Sequence, residues 1–213
     1  SLTFNKCRRQ ATNGFFGEMF VFTQLYDPND PSTIKLLPDW YSSVKHLNPD
    51  KASDREEMIK LWDARPRSHE ADHIYGNIGI EVKTKEDRDP GVALQFSSSR
   101  SRSRSNRLPV LDGAVGPNYY MCLVNHRMRN GRHEYCILGI FRGIEWYYKK
   151  QQNFSYRGVP LLGRMQNRNK HKRSLNIRTL WNTGINFYTP KRFAPKNPLE
   201  RPIFTKTDFP ALA

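Results

Sequence analysis

Three side chains carry the clearest chemical potential in this sequence: Asp72, Glu81 and Lys83. Glu81-Val82-Lys83 ends a short apolar run, and Asp72 stands just ahead of the Gly76-Asn77 pair that feeds the run. A two-residue Gly-Asn connection between Tyr75 and Ile78 predicts a tight β-hairpin, and such a turn fixes the cross-strand partners. In that register Asp72 faces Glu81, Ile74 faces Gly79 and Glu70 faces Lys83 on one side of the ribbon. Ala71/Val82, His73/Ile80 and Tyr75/Ile78 form the other side, so one face is charged and one apolar. Opposed side chains start roughly 4.5–5.5 Å apart at Cβ, and two carboxylates that close repel unless a cation or proton lies between them. A hard divalent ion such as Mg²⁺ takes carboxylate oxygens together with water and substrate phosphate, and Lys83 adds a fixed positive charge beside them. The chemistry this set suits is hydrolysis of a phosphodiester. A solvent-facing hairpin with ordinary surface charges is the competing reading, since E-x-K by itself is a common tripeptide.

The positioning elements read as follows. Residues 10–26 are apolar around most of a helical circumference, which predicts a buried helix broken at Asp27-Pro28. Glu18 is the anomaly among Phe15, Phe16, Met19, Phe20 and Phe22, because a buried carboxylate needs a partner. Ser53 or Asp54 is placed to cap a helix running through Trp62 and stopped by Pro66. Val92–Phe96 predicts the strand after the hairpin. Tyr119–Val124 and Tyr135–Phe141 predict two buried neighbouring strands joined near Asn130-Gly131 and completing a central sheet. Leu175 through Phe187, with Trp181, is expected to return to the core.

With 213 residues the chain suits a single domain spanning 1–213. Its 35 Lys and Arg against 20 Asp and Glu give a net charge of +15, a field that attracts polyanions, nucleic acid first. No stretch approaches the roughly 18 apolar residues of a spanning helix, so a membrane partner is not expected. The three cysteines, Cys7, Cys122 and Cys136, are odd in number and widely spaced, with no C-x-x-C. That predicts a reducing, cytoplasmic setting and argues against structural zinc. The N-terminal residues lack the apolar core of a secretory signal. His46, His69, His73, His126, His133 and His171 form no nucleophile motif, and His73 is expected to pack on the apolar face of the hairpin.

Two segments are candidates for contact with DNA. Residues 97–107 are Ser/Arg low complexity, and the alternating Arg100, Arg102 and Arg104, with Arg107, predict a mobile basic loop that closes on a phosphate backbone. From Arg164 to Arg178 the chain is basic again, with Arg168, Lys170, Lys172 and Arg173 interleaved with Asn167, Asn169 and His171. Lys and Arg neutralise phosphates while Arg and Asn can bond bidentately to bases, which makes this the candidate recognition segment. The Pro-rich residues 190–213 predict an extended arm suited to packing on a neighbouring subunit.

Asp72, eight intervening residues, then Glu81-Val82-Lys83 resembles the PD-(D/E)XK nuclease core of type II restriction enzymes and several junction and repair nucleases. Ala71 stands where that family places proline. The phrase Ile140-Phe141-Arg142-Gly143-Ile144 at this distance after E-x-K is similar to the PvuII group, and the likeness covers roughly residues 68–148. The resemblance implies an α/β restriction-endonuclease-like fold, a central mixed β-sheet flanked by helices. It implies Asp72, Glu81 and the Val82 carbonyl as Mg²⁺ ligands, and Lys83 as the residue that orients or activates the attacking water. It also implies that Glu18 points at the metal site from the first core helix; snorkelling to solvent, or pairing with Arg8 or Arg9, is the equal alternative. The expected activity is Mg²⁺-dependent endonuclease cleavage of double-stranded DNA leaving a 5′-phosphate, by a homodimer of the type II restriction kind. A structure-selective nuclease, such as a Holliday-junction resolvase or repair endonuclease, is the first alternative. A noncatalytic nucleic-acid-binding protein is the second.

Overall fold

The structure, a computed structural model, describes residues 13–18, 20–21, 35–36, 46–48, 51–63, 71–75, 78–87, 91–95, 119–164, 172–185 and 187. Glu70, the 97–107 loop and the 190–213 arm lie outside the described residues.

Ten strands and four helical segments are described. Residues 13–18 and 20–21 are helical (α1). They are followed by β1 (Lys35–Leu36), α2 (Ala52–Asp63), β2 (His73–Tyr75), β3 (Ile78–Glu86), β4 (Gly91–Gln95), β5 (Tyr119–Arg129) and β6 (Arg132–Arg142). After these come α3 (Gly143–Gln151), β7 (Ser155–Tyr156), β8 (Val159–Pro160), β9 (Leu162–Arg164), β10 (Lys172–Asn176) and α4 (Ile177–Trp181).

The central sheet has the order β1-β2-β3-β5-β6 and is mixed. Only the β3–β5 pair is parallel. Together with the helices it makes an α/β architecture. The predicted hairpin register is present, with His73 opposite Ile80, Ile74 opposite Gly79 and Tyr75 opposite Ile78. The long β5–β6 hairpin turns at Asn130 (φ 49°) and Gly131 (φ 73°), the left-handed pair that a tight two-residue turn requires and that Asn-Gly supplies at least cost.

The two faces of the sheet are covered differently. On one face α1 lies against β2, β3 and β6. A Cβ on Gly17 would stand 1.8 Å from Thr84 Oγ1, so the helix reaches β3 at a distance only glycine permits. Phe16 meets the rings of His133 and Tyr135, and Phe20 stacks on Tyr135. On the other face Met121, Leu123 and Phe141 join Trp146, Leu161, Leu175, Ile177, Leu180 and Trp181 in one core. That core closes because Gly139 lets the Trp181 and Phe187 rings come within 2.9 and 2.8 Å of the position a Cβ would take. The expected return of Leu175–Phe187 to the core is therefore present among its described residues.

The strand expected at 92–96 is present as β4, in a separate three-stranded sheet of order β4-β10-β9. One expectation needs correction: the helix expected to start after Ser53 or Asp54 begins at Ala52, and Asp54, inside its first turn, accepts the Asn48 N–H at 3.0 Å. The competing reading of a solvent-facing hairpin does not hold, because Glu81 and Lys85 on its charged face are buried. Among the described residues no helix is long and apolar enough to cross a membrane, and the buried Cys122 and Cys136 are free thiols.

Candidate functional site

Alternation along β3 sets Gly79, Glu81, Lys83 and Lys85 on one face of the sheet. The parallel register brings Tyr119, Met121, Leu123 and Asn125 of β5 beside them in that order. At one end of this row Lys85 Nζ is tied to the Asn125 side chain at 3.2 Å and to the Glu86 and Asp87 carbonyls at 2.8 and 3.2 Å. These bonds satisfy a buried ammonium locally and leave Lys83 as the neighbouring cation on the open part of the face.

Asp72 immediately precedes β2, one step beyond the His73/Ile80 pair. Its carboxylate turns in on β3, and Oδ2 accepts the Val82 N–H at 2.8 Å. A side chain thus performs the ladder bond where β2 has not yet begun, and it fixes the acid beside Glu81.

Glu81 is only 3 % exposed. Lys83 Nζ donates to its Oε1, whereas Oε2 is buried with no hydrogen-bond partner among the described residues. Burial, and then the negative charge of Asp72, push the Glu81 carboxyl up to about 7 against the pull of Lys83. The Lys83 side chain is 25 % exposed and marks the mouth of the site. Burial disfavours its ammonium, but the surrounding Glu81, Asp72 and Glu18 charges overcome that and hold its pKa above the usual lysine range. Lys83 is therefore a permanent cation at neutral pH.

Glu18 is buried on α1. His73 Nε2 lies 2.8 Å from the Glu18 carbonyl oxygen, and since a carbonyl only accepts, the imidazole carries its proton on Nε2. His73 is fully buried on the α1 side of the hairpin, as expected. At Lys83 the charge of Glu18 is the smallest of the named contributions, after those of Glu81 and Asp72. Arg8 and Arg9 lie outside the described residues.

Asp72, Glu81, Val82 and Lys83 are thus brought together, and Glu18 is tied to the hairpin through its backbone oxygen and His73. Among the described residues no three His, Cys, Asp or Glu side chains converge to hold a metal. Mg²⁺, however, is held by one or two carboxylates with water and substrate phosphate making up the rest of its shell. The donor set fits that habit: Glu81 Oε2, buried without a donor among the described residues, stands beside a second carboxylate, a pair that a proton or a cation can bridge.

The expected DNA-contacting residues are dispersed. Arg100, Arg102, Arg104, Arg107, Arg168 and Lys170 lie outside the described residues. Lys172 and Arg173 open β10, the middle strand of the second sheet. Leu175 and Ile177 in the same basic stretch are fully buried, while Arg173 is half-buried and Arg178 exposed.

Tyr119 escaped the reading of the sequence. It pairs with Gly79 across β3–β5, and its ring occupies the space that a side chain at Gly79 would need, 2.9 Å from the Cβ position. The available signal was a glycine two residues before Glu81, a position without a side chain on the same face. No family profile, curated protein or solved structure matches the chain.

Proposed function

We propose that the protein is a Mg²⁺-dependent DNA endonuclease with a restriction-endonuclease-like core, of the site-specific type II kind. The observation that carries this reading is the Asp72/Glu81 pair: two carboxylates stand side by side, one of them buried with an oxygen that no group among the described residues donates to unless a proton is shared with Asp72. Lys83 on the same face and the net charge of +15 support it.

Asp72, Glu81 and the Val82 carbonyl would hold the ion. Bound there, Mg²⁺ supplies Lewis-acid stabilisation of the charge that builds on the phosphate and leaving oxygen. The chain's own groups supply placement. Asp72 is locked by the Val82 amide, so the acid cannot swing away when substrate enters. Lys83, protonated at neutral pH, orients a water or phosphate oxygen by donating to it. In this protonation state it does not take the water's proton. Glu81 and Asp72, with a smaller contribution from Glu18, keep Lys83 charged. Cleavage then leaves a 5′-phosphate, in the cytoplasm of its host, and a homodimer would match a two-fold symmetric site.

The test is cleavage of supercoiled plasmid, phage DNA and a synthetic four-way junction with Mg²⁺ or with chelator. Cutting that requires Mg²⁺ and is lost in Glu81→Ala and Lys83→Ala, with DNA binding retained, is the expected result. Discrete fragments from linear plasmid indicate base-specific cutting, and cutting confined to the junction indicates a structure-selective enzyme. Wild-type protein that binds DNA but cuts none of the three substrates overturns the reading in favour of a noncatalytic DNA-binding protein.

A further inference from the structure

The row that holds Glu81 and Lys83 begins with Tyr119, and this residue has no place in the set discussed so far. It is 8 % exposed. Its ring is clamped between the bare backbone of Gly79 and Ala71, the two apolar neighbours that face it at the entrance to the hairpin. The hydroxyl at the far end of that ring is buried and has no hydrogen-bond partner among the described residues. A buried phenol ordinarily finds one. Among the described residues the same face therefore carries a donor without an acceptor, Tyr119 OH, and an acid oxygen, Glu81 Oε2, with no donor other than a proton shared with Asp72.

We propose that Tyr119 is a further substrate-binding residue of this site, its phenol donating a hydrogen bond to a non-bridging oxygen of the phosphodiester held over Asp72, Glu81 and Lys83. The inference rests on the nuclease reading and adds the group that grips the phosphate on the side opposite Lys83. Three further features agree with it. The β3–β5 register puts Tyr119 two residues from the position beside Glu81, with the side chain on the same face. The hydroxyl stays protonated, because burial and then the Glu81 and Asp72 charges raise its pKa above the ordinary tyrosine range; it is a donor and neither a base nor a nucleophile. The glycine beneath the ring fixes its position, so the donor is aimed before substrate arrives. Preorganised donors of this kind act most strongly on the charge that develops in the transition state.

The experiment is Tyr119→Phe, which keeps the ring and its packing and removes only the hydroxyl. Steady-state cleavage of a plasmid substrate in Mg²⁺ is compared with wild type, together with the ¹⁹F shift of 3-fluorotyrosine placed at 119, read with and without duplex DNA in Ca²⁺. The expected result is a fall in kcat on the order of 100-fold with KM and melting temperature little changed, and a ¹⁹F resonance that moves when DNA binds. Equal kcat in wild type and Tyr119→Phe, or a resonance that DNA leaves in place while anisotropy reports binding, overturns the proposal and leaves the nuclease reading intact. If wild type cuts nothing, the nuclease reading falls by itself. The ¹⁹F shift then decides the contact between Tyr119 and DNA phosphate, a moved resonance supporting it and an unmoved one refuting it.

Discussion

The Asp72 carboxylate accepts the Val82 amide at 2.8 Å while standing beside the buried carboxyl of Glu81. One acid therefore does two things, closing an open strand edge and crowding a second acid, and the two can be separated by substitution. Asp72→Asn keeps an oxygen for the Val82 N–H and removes the charge. Without divalent ions at pH 8 it should be more stable than wild type by about 1 kcal/mol, read as a melting temperature roughly 2–4 °C higher. Asp72→Ala leaves the amide without its acceptor and should be about 1–3 kcal/mol less stable than Asp72→Asn. Both should fail to cut DNA. An Asp72→Asn protein that melts below wild type at pH 8 would show that the two acids do not repel.

The pH dependence follows from Glu81. Its carboxyl titrates near 4.5 when unfolded and about 7 when folded, so between those values the folded state holds a proton that the unfolded state has lost. The stability this gives is complete below pH 4.5 and is lost as pH rises through about 7. Glu81→Gln cannot lose that proton. The stability difference between wild type and Glu81→Gln should thus turn against wild type as pH climbs from 5 to 8, and Mg²⁺ should restore wild type alone. Urea midpoints at both pH values, with and without Mg²⁺, check this; a difference that does not vary with pH contradicts it.

Gly17 meets Thr84 where a Cβ would lie 1.8 Å from Oγ1. Gly17→Ala should push α1 off β3, costing about 1–3 kcal/mol and lowering cleavage, since Glu18 is the next residue. Thr84→Ala removes the obstructing hydroxyl. The double variant should lose less stability than the two single variants added together, and strict additivity would mean that this contact does not position the helix.

The hairpin and the β5–β6 pair were legible because Gly76-Asn77 and Asn130-Gly131 set loop length, and loop length sets register. Asp72 and Glu81 could be brought together on that basis before any tertiary contact was known. What lay on top of them could not be read. The burial of Glu81 depends on the core formed by β5, β6 and α3 with the segments that follow, contacts between residues far apart in sequence. The strand at 172–176 was hard to read for a related reason: Lys172, Arg173 and Arg178 dominate the composition of this stretch, while Leu175 and Ile177, two apart, anchor it in the core. Tyr119 was hidden inside an apolar run, and only the register against Gly79 separates it from Tyr120.

The claim on which the rest depends is that Asp72 and Glu81 form a seat for a divalent cation that competes with a proton. Titration calorimetry of wild type and Asp72→Asn with Mg²⁺ at pH 6.5, in two buffers of different ionisation heat, measures it directly. Mg²⁺ should bind wild type saturably and release a substantial fraction of one proton per ion, and it should not bind Asp72→Asn. Binding that is equal in the two proteins, or that releases no proton, would contradict it.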